Sequence, residues 1–131
     1  MSENDVILTG VAASPGSYVG ICRVINHRGE IDTIQPGEIM VIQRTDPPDL
    51  PYMKRAGAFI TNSGGRTTHA AMVARELGKP AVCGTIEATL VLKTGQRVLV
   101  DGTTGLICVP PALSLSEKVR ALAAKHGVST V

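Results

Sequence analysis

Residues 62–85 read NSGGRTTHAAMVARELGKPAVCGT, and the periodicity inside this stretch decides how the rest of the chain is read. Ala70, Val73, Ala74 and Leu77 fall at i, i+3, i+4 and i+7, one stripe of a 3.6-residue repeat, which predicts a helix over Thr67 to Leu77. Three of the four are small or β-branched, so the helix can lie close against a sheet. Thr68, Met72, Arg75 and Lys79 occupy the opposite side. His69 stands at the margin between the two faces in the first turn, reachable from outside.

Outward from the helix, short apolar runs bounded by Gly and Pro turns predict strands: VILTG at 6–10, YVGICRVI at 18–25, EIMVIQ at 38–43, GAFIT at 57–61, PAVCG at 80–84, QRVLVDG at 96–102 and GLICV at 105–109. A second amphipathic helix is expected over Ser114 to Lys125, and a short helical turn over Asp49 to Arg55 after TDPP. The fold class is α/β, rich in sheet.

The chain has 131 residues, 44% hydrophobic and 18% charged, which suits one globular domain with its own core and excludes a disordered chain. With no Trp, one Phe and two Tyr, that core must be built from aliphatic side chains, and no aromatic platform exists for stacking nucleic-acid bases. A formal net charge of +2 is too balanced for a phosphate-backbone binder. The acidic MSENDVILTG start lacks the basic and apolar regions of a signal peptide, and no apolar run reaches the length of a membrane span, so a cytoplasmic protein without membrane or nucleic-acid partners is expected. Three cysteines without CxxC spacing, Cys22, Cys83 and Cys108, read as reduced core thiols and suggest no metal site.

The first turn of a helix presents backbone N–H groups without intrahelical partners and the positive end of the helix dipole, a natural place for an anion. Gly64 and Gly65 allow close backbone approach, Thr67 and Thr68 carry hydroxyls, and Arg66, Arg75 and Lys79 carry charge. A histidine in such a cradle can act as a nucleophile toward phosphorus. Taken singly, each piece also has a plain structural reading: glycine pairs make turns, threonine caps helices, and a lone histidine near a helix start is commonly a satisfied surface residue.

The whole string GGRTTHAAMVARELGKPAVCGT resembles the signature of the phosphohistidine swivelling domain of phosphoenolpyruvate-utilising enzymes, the pyruvate phosphate dikinase and phosphoenolpyruvate synthase family. GVAASPGSYVGICRVI, GEIMVIQRTDPPDLPYM and VLVDGTTGLICV extend the resemblance over residues 6–109, with Thr68 in the place of the usual serine. The resemblance implies a compact β/β/α swivelling domain over 1–109 and a C-terminal helical extension over 110–131. It also implies that His69 accepts a phosphoryl group and carries it between an ATP-grasp nucleotide site and a phosphoenolpyruvate- or pyruvate-type acceptor site. Gly64, Gly65, Arg66, Thr67, Thr68 and Arg75 would support that group. Met72, exposed beside it, would dock on the partners.

The chain has no GxxxxGK loop, no length for an ATP-grasp domain and no acidic cluster for Mg²⁺. The resemblance therefore implies a phosphotransferase component that binds no cofactor itself, with Mg²⁺ and ATP or phosphoenolpyruvate on partner domains or subunits. The opposing possibility is a non-catalytic interaction or regulatory module that keeps the fold. Asp46 and Asp101 read as turn residues, His27 and His126 as loop and helix-end residues, and Ser14 and Gly16 as parts of a tight turn.

Overall fold

The seven apolar runs and one further segment become eight strands of a single sheet in a computed structural model that describes residues 5–111. They are β1 (Val6–Thr9), β2 (Val11–Ser14), β3 (Ser17–Ile25), β4 (Ile39–Ile42), β5 (Ala58–Thr61), β6 (Ala81–Cys83), β7 (Arg97–Asp101) and β8 (Leu106–Cys108), in the order β1-β8-β7-β3-β4-β5-β6-β2. Pairing is parallel from β3 through β6 and antiparallel elsewhere. Among the described residues three helices accompany the sheet: α1 (Leu50–Met53), α2 (His69–Leu77) and α3 (Ala88–Val91). Short 3-10 helices cover Arg28–Thr33 and Pro47–Asp49.

The central strands read as unbroken apolar runs because both of their faces are covered. Alternate residues go to opposite cores. Met40, Ile42, Phe59, Ala81 and Cys83 pack beneath Ala70, Ala71, Val73 and Ala74 of α2. Ile39, Val41, Ala58, Ile60 and Val82 face Val98, Val100 and Ile107 of the folded-over β7–β8 half. The layering is thus sheet, sheet and helix, the β/β/α arrangement expected. Alanine on α2 lets the helix axis sit close to the strands, and Gly78, at φ +69, closes it in the left-handed conformation, with Lys79 N donating to Ala74 O at 2.9 Å.

Three expectations need correction. The first helix begins at His69 and not at Thr67, because Thr68 is extended (φ −75, ψ 164) and its hydroxyl turns back to donate to Gly65 O at 2.9 Å. Strand β2, and the short helices at 28–33 and 88–91, went unread: VAAS is too small-residued, and one-turn helices carry too little periodicity. The turn expected over Asp49 to Arg55 spans Pro47 to Met53 as a 3-10 helix followed by α1. The helix expected over Ser114 to Lys125 lies outside the described residues. No helix among the described residues is long and apolar enough to cross a membrane.

Candidate functional site

His69 opens α2 immediately beyond the loop that leaves β5, and the loop that leaves β4 lies alongside it. Both loops stand at the carboxyl ends of parallel strands, where open α/β sheets place their ligands. A depression of about 310 Å³ forms there, lined by Arg44, Thr45, Asp46, Thr61, Ser63, Thr68, His69 and Ala70.

Thr45 fixes the histidine. Its side chain is buried at 4% exposure, and its Oγ1 lies 2.8 Å from His69 Nδ1. Among the described residues Nε2 has no hydrogen-bonding partner. Thr45 is itself held by its chain neighbours. Pro47 restricts Asp46 to extended backbone (φ −132, ψ 164), and the buried Asp49 carboxylate accepts a 2.8 Å bond from Asp46 N and an ion pair from Arg28. Asp46 also faces Arg28 Nη1 at 3.3 Å and Arg44 Nε at 3.8 Å.

The loop from β5 is pinned as firmly. Buried Asn62 donates to Gln43 Oε1 at 2.8 Å and Thr89 Oγ1 at 2.7 Å, and its Oδ1 accepts from Thr89 N at 3.0 Å. Ser63 Oγ donates to Gln43 O at 3.0 Å, which ties the β4 and β5 loops together. Gly64 follows at φ +100, where a Cβ would stand 2.6 Å from Thr68 Cγ2. Glycine is required there on both counts.

With the Thr68 hydroxyl given to Gly65 O, no side chain caps the first turn of α2. Its N–H groups stay directed at whatever lies before the helix. Beneath, Cys83 lies in contact with Thr61 and Thr68 with 0% exposure, and burial pushes its thiol pKa up.

Of the residues picked from sequence, the structure brings His69 and Thr68 to this depression, with Gly64 and Gly65 shaping the approach. Arg66 and Arg75 line a separate depression with Ala12, Ala13, Pro15, Gly102 and Thr103, and the Arg75 guanidinium donates to Ala13 O at 2.7 Å. Thr67 is exposed and absent from the lining. Met72 is exposed at 48% on the outer face of α2. Lys79 is turned away, donating to Lys54 O at 2.8 Å and Ala56 O at 2.5 Å, and burial lowers its pKa. Asp46, read as a turn residue, serves a turn and also stands at the rim. Thr45, Arg44 and Ser63 escaped the sequence reading because each comes to the depression only through the tertiary fold.

The sequence profile described as "PEP-utilising enzyme, mobile domain" matches residues 34–105, and the chain belongs to that family. It is 52% identical over 118 residues to a protein of Pyrococcus abyssi named "Probable phosphoenolpyruvate synthase", a match that takes in 90% of this chain and 14% of that relative. The chain therefore spans only a small part of the length of the curated relatives it matches. Among solved structures, an "Enzyme I (nEIt)" solution structure aligns over 74% of this chain and 40% of its own, at 30% identity and a TM-score of 0.54. Holo aconitase X of Thermococcus kodakaraensis aligns over 79% of this chain and 98% of its own, with a TM-score of 0.62 and 21% identity, which is a likeness of fold.

Proposed function

We propose that this chain is a phosphohistidine carrier in which His69 Nε2 accepts a phosphoryl group from one partner site and surrenders it at another. The observation that carries this reading is the 2.8 Å contact between Thr45 Oγ1 and His69 Nδ1. With Nδ1–H donating to the threonine oxygen, the ring holds the tautomer whose Nε2 lone pair is free.

The step balances without a base on this chain. The Nε2 lone pair attacks phosphorus, the bond from phosphorus to the donor oxygen breaks, and the electron pair leaves with that oxygen. Nδ1 keeps its proton, so the product is a phosphoimidazolium whose positive charge makes the ring a good leaving group. At the acceptor site an oxygen attacks phosphorus, the P–Nε2 bond breaks, and the pair returns to the ring. The uncapped first turn of α2 faces the phosphoryl oxygens with N–H donors and the positive dipole end. Thr68 organises that turn through Gly65 and donates nothing to phosphate itself.

The donor in this reading is an ATP-grasp nucleotide domain and the acceptor a phosphoenolpyruvate- or pyruvate-type site, with Mg²⁺ and ATP or phosphoenolpyruvate held there. Names of the relatives and their greater length support partners of that kind. Exposed Met72, one turn along from His69, is placed to dock on either.

The test is to supply an ATP-grasp domain of phosphoenolpyruvate synthase type in trans with ATP and Mg²⁺. The chain should gain one acid-labile, base-stable phosphoryl group, located at His69 and lost in His69→Ala. A chain that stays unlabelled while the donor domain phosphorylates its own native carrier overturns the reading.

A further inference from the structure

We propose that Arg44 is the phosphoryl-binding cation of this site, held in reserve on Asp46 and released to the phosphoryl group when His69 is charged. The inference rests on the carrier reading. Among the described residues Arg44 is the one Arg or Lys lining the His69 depression, whereas Arg66 and Arg75 line another and Arg75 is engaged with Ala13 O. Its guanidinium is loosely held: the side chain is 70% exposed, and Nε stands 3.8 Å from Asp46 Oδ2, beyond hydrogen-bonding range. An exposed ion pair of that kind is worth little and exchanges readily.

The exchange leaves no charge stranded. Asp46 keeps Arg28 Nη1 at 3.3 Å, and Arg28 is anchored in turn on buried Asp49. Arg44 also lines the neighbouring depression with Ile25, His27 and Arg28, so it stands on the ridge between the two and has room on both sides. The four side chains Arg28, Arg44, Asp46 and Asp49 sum to zero formal charge before the phosphoryl group arrives. A dianionic phosphoryl group then competes with one carboxylate that already has a second partner, and a planar guanidinium binds phosphate through two parallel donors.

Position reinforces charge. Arg44 precedes Thr45, the residue that fixes the imidazole, and Pro47 and Asp49 lock the same segment. One rigid piece of backbone thus sets both the ring orientation and the reach of the cation. Asp46 acts as the positioning residue that keeps Arg44 at the rim.

Phosphoramidate, a small donor that needs no partner, tests this on the full chain. Its P–N bond breaks with loss of ammonia as the bond from phosphorus to Nε2 forms. His69 phosphorylation is followed by intact and peptide mass, with Lys93→Gln as a variant that removes a remote positive charge. Arg44→Gln should slow labelling of His69 tenfold or more at an unchanged melting temperature, Arg44→Lys should fall between, and Lys93→Gln should match wild type. The Arg44 Nε–H resonance should shift when His69 is phosphorylated. Labelling of Arg44→Gln at the wild-type rate, equal slowing by Lys93→Gln, or an unmoved Arg44 resonance overturns the proposal while leaving the carrier reading intact. A wild-type His69 that never labels overturns both.

Discussion

Thr45 Oγ1 and His69 Nδ1 meet at 2.8 Å although 24 residues separate them in sequence, so the loops of two parallel strands jointly hold one imidazole nitrogen and leave the other without a partner among the described residues. Thr45→Val keeps the buried volume and deletes the oxygen. Phosphorylation of His69 should slow about tenfold, equivalent to ~1.4 kcal/mol of barrier, with a stability loss of about 1 kcal/mol for the hydrogen bond. Thr45→Ser should recover most of the rate. Equal rates in Val and wild type would remove Thr45 from the account.

Gly64 separates conformation from chemistry. Gly64→Ala places a methyl 2.6 Å from Thr68 Cγ2 at φ +100. Thr68 must shift, and the start of α2 shifts with it. Stability should fall by about 1–2 kcal/mol, the usual cost of the left-handed region for a non-glycine residue, and labelling of His69 should fall further than the population of folded chain does. Chemical denaturation and labelling rates on one preparation measure both.

Ile86 is the reverse case, a β-branched residue at φ +76 that is 81% exposed. It buries little and is strained. Ile86→Gly should raise stability by about 0.5–1 kcal/mol once glycine's own entropic cost is counted. A destabilised variant would show that the side chain makes contacts worth more than the strain.

Burial pushes the Cys22 thiol pKa up to about 12 and raises that of Cys83. The sign follows from linkage: above the unfolded value near 9.0 the unfolded chain releases a proton that the folded chain retains, so the stabilising contribution is complete below pH 9 and is lost as pH rises toward 12. Unfolding free energy should therefore decline over that interval as the unfolded chain loses the Cys22 proton that the folded chain keeps. Iodoacetamide at pH 8 should leave Cys22 and Cys83 unmodified until the chain is unfolded. Rapid alkylation of the native protein would contradict the burial.

Met72→Asp sets a carboxylate beside the approach of an anionic group on the outer face of α2. Transfer from a protein donor should slow more than tenfold, or ~1.4 kcal/mol, Met72→Gln should be milder, and the melting temperature should hold. Wild-type transfer in both variants would move the docking surface elsewhere.

Much of this was legible in the chain. IMVI, AFIT and AVC declare themselves as strands because both faces are buried, and the Ala70, Val73, Ala74 stripe fixes the inner face of α2. Phase also explains a misplacement: Arg75 lies six residues beyond His69, about 240° around the helix, and so reaches Ala13 on β2 and not the histidine. Thr45 and Arg44 had no such signal. Their nearness to His69 comes from the parallel pairing of β4 with β5, a relation between strands that local periodicity does not encode.

The central claim is that Thr45 holds Nδ1 and leaves Nε2 to carry the phosphoryl group. Its most direct test is long-range ¹H–¹⁵N and ³¹P NMR on the ¹⁵N-labelled chain after phosphorylation, which identifies the modified nitrogen of His69. Phosphorus is expected on Nε2, with a protonated Nδ1 still bonded to Thr45 and no phosphohistidine signal at that position in His69→Ala. Phosphorus on Nδ1, or a His69 ring left unmodified under conditions that charge other carriers, would contradict it.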